Sequence, residues 1–158
     1  MSGCARVADV PAPVAQATPA PVAAAPVAAL TLPISLNAVM VSLVDASVRP
    51  VWSAATKPPK TDADWGELEY HAWQNMLAGT IIKIPGTGPA DAGWVVQPEW
   101  IAFADQLTSE GREALAAAQT KDLSKFEELG NKIVATCEGC HARFKPELPT
   151  GKIMLRYP

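Results

Sequence analysis

The sequence has few cationic side chains, only three cysteines and no long uncharged apolar run. Its 13 Lys and Arg residues are outnumbered by 16 Asp and Glu, which gives a formal net charge of -3. This balance argues against a nucleic-acid-binding protein, because such proteins neutralise phosphates with clustered basic side chains. The most apolar stretch, residues 10–36, is interrupted by prolines and polar residues, so we expect no membrane-spanning segment. The start of the chain also lacks the basic and unbroken apolar segments of an ordinary secretory signal.

Aromatic residues are absent from the first 30 residues, which contain 11 Ala and 5 Pro. All ten aromatic residues lie downstream of that segment. A run of Ala, Pro and Val with almost no charge is typical of a semi-extended, polyproline-like spacer and not of a packed element. We therefore predict a disordered Ala/Pro-rich tether over residues 1–33 and a folded domain over residues 34–158.

Cys4 precedes this spacer in the sequence Ser2-Gly3-Cys4. Ser-Gly-Cys resembles the end of a bacterial lipobox, although the leucine-like residue and the preceding apolar stretch of that motif are missing. One interpretation is a lipoprotein in which acyl chains on Cys4 anchor the domain to a membrane through the tether. The other interpretation is a free, exposed cysteine in a disordered tail.

Apolar residues recur at spacings of three and four in four stretches, which are residues 34–55, 62–79, 98–118 and 122–145. Pro50 is expected to bend or interrupt the first helix, and Gly79 is a plausible C-cap of the second. The connection over residues 80–97 carries no strand pattern and is predicted to be a loop that crosses the bundle. The pattern predicts an all-α fold, an antiparallel four-helix bundle.

The motif with the clearest chemistry is Cys137-Glu138-Gly139-Cys140-His141, a C-x-x-C-H sequence on the fourth predicted helix. This spacing is used for covalent haem attachment, in which two cysteine sulfurs form thioethers and the adjacent imidazole binds the iron. A redox dithiol would call for a preceding strand. A structural zinc site would need four nitrogen or sulfur ligands, and outside this motif only Cys4 and His71 remain.

A helical bundle with its C-x-x-C-H motif near the C-terminus, followed by His141-Ala142-Arg143-Phe144-Lys145, resembles the class II c-type cytochromes. That family includes cytochrome c prime and its low-spin relatives. The resemblance covers about residues 36–145, and the haem motif with its trailing aromatic and basic residues is its specific part. It implies one haem c, bonded through Cys137 and Cys140, with His141 as the proximal iron ligand.

In the family, the distal side of the iron faces the first helix, where this chain has Met40. Met40 is either the sixth ligand, a soft thioether that suits electron transfer, or a core residue like its apolar neighbours. Many members place an arginine one turn earlier, where this chain has Leu36. His71 on the second helix is the other candidate ligand. The tryptophans are expected to be buried anchors, some of them around the haem: Trp52, Trp65, Trp73, Trp94 and Trp100.

These observations predict a monohaem c-type cytochrome that transfers single electrons and is not an enzyme. The alternatives are a five-coordinate haem protein that binds or senses NO or CO, and a haem subunit of a larger respiratory or photosynthetic complex. We expect redox partner proteins, a periplasmic location, no nucleic acid, and membrane contact only through a lipid on Cys4; a homodimer is compatible with such a bundle. The basic residues after His141 are read either as solvated surface or as a docking patch for an acidic partner: Arg143, Lys145, Lys152 and Arg156.

Overall fold

The computed structural model describes residues 30–147 of the chain. Within that range the protein is all-helical, with no strand. Its elements are α1 (Leu36–Val39), a π-helical segment (Met40–Val44), α2 (Asp45–Ser53), α3 (Asp62–Ile81), α4 (Asp91–Trp94), α5 (Pro98–Gln119) and α6 (Leu123–Phe144). None of these helices combines the length and hydropathy that crossing a membrane requires. The all-α fold class predicted from the periodicity is confirmed for this part of the chain.

The first helical stretch, residues 36–53, is one run of three segments and not one uniform helix. Its hydrogen bonding widens to the π pattern at Met40, and the backbone N–H of Asp45 donates to the Met40 carbonyl five residues earlier. Pro50 lies inside α2, which continues to Ser53. The irregularity predicted at Pro50 therefore begins nearly three turns earlier, at Met40.

Helix α3 begins with a capping box between Thr61 and Asp64, at the predicted start of the second helical stretch. The expectation that Gly79 ends this helix is wrong, because α3 continues to Ile81. Gly79 instead lies against α5, where an added Cβ would stand 2.6 Å from the Ala104 carbonyl oxygen. Gly111 on α5 is equally close to α3, and its Cβ would approach the backbone nitrogen of Met76 to 2.8 Å. These two glycines allow α3 and α5 to make the most extensive helix contact of the described residues.

Helices α5 and α6 are joined by residues 120–122, in which Lys121 has a positive φ of 54°. The backbone N–H of Asp122 donates to the Ala117 carbonyl at 2.9 Å, which closes the end of α5. The Asp122 side chain then accepts from the backbone N–H of Ser124 at the start of α6. A connection this short makes α6 fold back beside α5, and the two helices pack together.

The core lies between α2, α3, α5 and α6, with Phe126, Leu36 and Ile133 among its largest fully buried side chains. The expectation of buried tryptophans holds for Trp100, which is 3% exposed, but not for Trp73, which is 56% exposed. Helix α3 buries the face that carries its small residues. Its outward face therefore exposes Tyr70, Trp73 and Leu77.

Leu32 marks the point where the chain joins the folded part. Its backbone N–H donates to the Pro85 carbonyl at 2.8 Å, and its side chain packs against the core. Leu32 is therefore part of the packed structure. Cys4 and most of the predicted tether lie outside the described residues.

Candidate cofactor site

The C-terminal part of α6 and the first helical stretch share the wall of a cavity of about 230 Å³, here called the outer cavity. Cys140 and His141 of α6 and Met40 of the π-helical segment all lie in this wall. Val41 is also in the wall and is 67% exposed, so the cavity reaches the surface. The outer cavity is lined by Asn37, Met40, Val41, Asp45, Trp94, Trp100, Cys140, His141, Phe144 and Lys145.

A smaller void of about 50 Å³, here called the inner cavity, shares Met40, Cys140 and His141 with the outer one. Cys137, the first cysteine of the motif, lies in the wall of the inner cavity. Most of the remaining wall is apolar and buried. The inner cavity is lined by Met40, Val44, Ile82, Phe103, Leu107, Thr136, Cys137, Cys140 and His141.

His141 is half-buried, and its Nδ1 is a buried atom with no hydrogen-bond partner among the described residues. Burial lowers the pKa of the imidazole, the Lys145 cation lowers it further, and Glu147 acts in the opposite direction. A lowered pKa keeps the ring neutral at neutral pH, which is the form that binds metals. Burying a ring nitrogen that has no hydrogen-bond partner in the protein costs free energy, unless a bound group interacts with that nitrogen.

The two cysteines of the motif are free thiols in an environment that disfavours thiolate. Burial raises the pKa of Cys137 to about 12, and nearby acidic groups, Glu110 first among them, add to the effect. Burial likewise raises the pKa of Cys140 to about 11. Both lie in the last turns of α6, where the helix dipole also opposes negative charge. A redox dithiol needs the opposite, a thiolate stabilised at a helix N-terminus or by a cation, so this geometry does not favour that interpretation.

An aromatic cluster forms one side of the outer cavity next to His141. The rings of Trp94 and Trp100 stack with centroids 5.2 Å apart, and the Phe144 ring meets Trp100 edge-on at 5.1 Å. The indole Nε1 of Trp100 donates to the Ile82 carbonyl at 2.7 Å, which fixes the orientation of this ring. The cluster therefore provides an apolar wall beside the imidazole.

Gly139, between the two cysteines, allows the Phe103 ring to pack against α6. An added Cβ at Gly139 would stand 3.1 Å from the nearest Phe103 carbon. Phe103 also lines the inner cavity. The glycine of the motif thus leaves room for the Phe103 ring beside the cysteines. The motif alone does not predict this contact.

His71 is placed differently from His141. Its Nδ1 pairs with the Gln74 side chain at 3.0 Å, and it lies in neither of the two cavity walls. The structure therefore brings Met40 together with the haem motif and does not bring His71 there. Whether Met40, His71 or neither residue binds the iron stays a prediction.

Two buried acidic residues belong to the surroundings of the site and were not singled out in the sequence. Asp91 in α4 is 2% exposed and accepts from the backbone N–H of Leu36. Glu110 in α5 is also 2% exposed and accepts from the hydroxyl of Thr136, the residue just before Cys137. Glu110 could have been found from its spacing, because it falls three residues after Leu107 and four before Ala114 on the buried face of α5.

Arg143 and Lys145, two basic residues of the predicted docking patch, are partly engaged within the protein. Arg143 donates to the Gln97 side chain at 3.3 Å and lies over the Phe144 ring. Lys145 lies 5.5 Å from the Trp94 ring centroid and pairs with Glu147 at 3.2 Å. Lys152 and Arg156, the other members of the predicted patch, lie outside the described residues.

The residues in the two cavities fit a covalently bound haem. Two thiols and a neutral imidazole lie along one stretch of α6, and a thioether side chain enters the same cavities from the opposite element. Among residues 30–147 no three His, Cys, Asp or Glu side chains converge as a metal-binding group, so the described part of the chain lacks the donor set of a structural zinc site. Comparisons of the chain with protein-family models, with curated proteins and with solved structures give no match.

Proposed function

We propose that the protein is a monohaem c-type cytochrome that transfers single electrons. The observation that carries this proposal is the pair of cavities that Met40 shares with Cys140 and His141, with Cys137 in the inner wall. Haem c, held by two thioether bonds, supplies an iron that takes up and releases one electron. We further propose that the helices form the antiparallel four-helix bundle typical of the class II c-type cytochromes.

The roles of the motif residues follow from their chemistry. Cys137 and Cys140 would hold the haem through two thioether bonds, each made by adding a thiol S–H across a vinyl double bond, so that attachment would not depend on the iron ligands. The imidazole of His141, kept neutral by burial, donates a nitrogen lone pair to the iron. The Trp94, Trp100 and Phe144 rings limit water access beside it, which favours electron transfer over reactions with solvent.

Met40 is the proposed sixth ligand. Its side chain is only partly buried and lies in both cavity walls, as a group that meets the iron must. The π-helical segment begins at this residue. Single-turn π segments occur frequently at functional sites, because they change the direction in which the following side chains point. A six-coordinate iron changes little on reduction, which suits a carrier better than a gas-binding protein.

The location and the partners are part of the same proposal. Covalent haem attachment in this family takes place outside the cytoplasm, so we propose a periplasmic protein, tethered by a lipid on Cys4 where that residue is modified. Lys145 lies in the wall of the outer cavity, and we propose that Lys145 and the exposed Arg143 form the docking side for an acidic redox partner. Electron-transfer rates with such a partner should fall as the salt concentration rises.

Visible spectra of the oxidised and reduced protein, recorded with and without carbon monoxide, test the proposed carrier role. A low-spin haem that does not react with carbon monoxide supports it. High-spin iron that binds the gas promptly would instead assign the protein to gas binding or sensing, because an open sixth position is what that function needs.

A further inference from the structure

Glu110 is a carboxylic acid enclosed in the interior between α5 and α6. Its side chain is 2% exposed, and its Oε1 accepts from the Thr136 hydroxyl at 2.6 Å and from the Gln106 amide at 3.4 Å. The other oxygen, Oε2, is buried and has no partner among the described residues. Oε1 of this carboxyl group thus accepts hydrogen bonds, whereas Oε2 accepts none and can carry the proton of the neutral acid.

The carboxyl group lies one side chain away from the inner cavity. Thr136, its hydrogen-bond donor, is in the cavity wall together with Cys137, the next residue of α6. Leu107, one turn earlier on α5, is in the same wall. A change of charge in the cavity therefore interacts strongly with the Glu110 carboxylate, because the separation is short and the intervening protein interior has a low dielectric constant.

The charged groups around Glu110 largely offset one another. Glu113 on α5 raises the pKa of Glu110 and Lys132 on α6 lowers it, and these two residues pair with each other at 2.8 Å. The buried polar residue that α3 contributes is Asn75, which carries no charge, and the nearest charged residues of α2, Asp45 and Arg49, form their own ion pair. Among the described residues, Lys132 is a cation that acts on the Glu110 carboxylate, and it is itself paired with Glu113.

We propose that Glu110 is a redox-linked proton-binding site, which takes up a proton when the haem iron is reduced and releases it when the iron is oxidised. The inference rests on the proposed function. In the balanced step, one electron from the redox partner reduces ferric to ferrous iron, and one proton from solvent converts the Glu110 carboxylate to the neutral acid. The thiols, His141 and Met40 do not change protonation.

The direction follows from charge. Burial raises the pKa of Glu110, so the neutral acid is favoured even at pH values where an exposed glutamate is ionised. Adding an electron beyond Thr136 makes the surroundings more negative, which raises the pKa again and draws in the proton. The hydrogen bond from Thr136 has the opposite effect, since it stabilises the carboxylate.

The test is the reduction potential of the holoprotein, measured as a function of pH for the wild type, Glu110→Gln and Glu113→Gln. The wild-type potential should fall as pH rises through the Glu110 transition, by up to a tenfold change in the reduction equilibrium per pH unit, or about 59 mV for one electron. Glu110→Gln should remove this slope. Glu113→Gln, which removes an exposed carboxylate one turn away, should keep the slope and move it to slightly lower pH.

A second pair of variants tests the same proposal if Glu110→Gln does not fold. Thr136→Val removes the donor to Oε1 and should shift the slope to higher pH, whereas Thr136→Ser keeps the hydroxyl and should leave it near its wild-type position. A wild-type potential independent of pH, or a slope unchanged in both Glu110→Gln and Thr136→Val, would overturn the inference alone. A preparation without thioether-linked haem would overturn the proposed function, and this inference with it.

Discussion

The Asp91 carboxylate accepts a hydrogen bond from the backbone N–H of Leu36 at 2.8 Å, across 55 residues of sequence. The same oxygen also accepts from the backbone N–H of Gly88 at 2.8 Å. Asp91 therefore ties the start of the first helical stretch, which carries Met40, to the connection that carries Trp94. A negative charge at this helix N-terminus also complements the helix dipole.

Replacing Asp91 should weaken the side of the site that carries Met40. Asp91→Ala leaves two backbone N–H groups without their acceptor, so we expect the free energy of unfolding to fall by about 1–3 kcal/mol. Denaturant unfolding measures this change. Asp105→Ala, which removes an exposed ion pair with Lys83, is the control and should cost at most about 1 kcal/mol. If the two substitutions lowered the free energy of unfolding equally, the Asp91 hydrogen bonds would stabilise the protein no more than an exposed ion pair does.

The crossing of α3 and α5 should tolerate no side chain at Gly79. Gly79→Ala places a methyl group 2.6 Å from the Ala104 carbonyl oxygen, so we expect a loss of about 1–3 kcal/mol as the helices separate. Gly66, on the same helix, has open space around its missing Cβ. Gly66→Ala should instead stabilise the protein by about 0.5–1 kcal/mol, because alanine is the better helix former. Thermal unfolding of the two variants should therefore move in opposite directions.

Glu110 should make stability depend on pH even without any redox measurement. Its pKa is raised in the folded protein and is near 4.3 in the unfolded chain, so the folded state binds more protons between these two values. Stability therefore falls as pH rises through this window, and the penalty stays at higher pH. The stability of Glu110→Gln relative to the wild type should increase from pH 4 to pH 7 in denaturant titrations, and a constant difference would contradict a raised pKa.

Met40 and Met76 offer a matched pair for the ligand assignment. Both are partly buried methionines that pack against the core, but only Met40 lies in the cavity walls. Met40→Ala should convert a low-spin haem to a form that binds carbon monoxide, because the iron loses its thioether ligand. Met76→Ala should leave the visible spectrum unchanged and lower stability by about 2–5 kcal/mol. A low-spin spectrum retained in Met40→Ala would refute the assignment.

Apolar spacing is a local property, so it was enough to predict the four long helical stretches. It did not predict the π-helical segment or α4, which lies inside the predicted loop over residues 80–97. Helices α5 and α6 begin at Pro98 and Leu123, close to the predicted starts at residues 98 and 122. The roles of the glycines and tryptophans were harder to predict from the sequence, since they depend on which helix packs against each residue. Gly79 resembles a C-cap in sequence but serves the contact with α5, and Trp73 resembles a core anchor but faces outward.

For the candidate site, the sequence predicts the residues of the haem motif but not the residues that hydrogen-bond around them. The C-x-x-C-H spacing identifies Cys137, Cys140 and His141 because attachment chemistry constrains neighbouring residues on one helix. The spacing of Glu110 on α5 indicates its burial, but the hydrogen-bond partners of Asp91 and Glu110 could not be predicted, because Leu36 and Thr136 lie far along the chain. Long-range hydrogen bonds of this kind leave no periodic pattern.

Covalent haem attachment is tested by a pyridine haemochrome spectrum of the purified protein. We expect the spectrum of haem joined by two thioethers, at one haem per chain, with haem that stays with the protein in acidified organic solvent. Cys137→Ser and Cys140→Ser should each give the spectrum of a single thioether, whereas Cys4→Ser should change nothing. A protein without haem, or with haem that the solvent extracts, would contradict the proposed attachment.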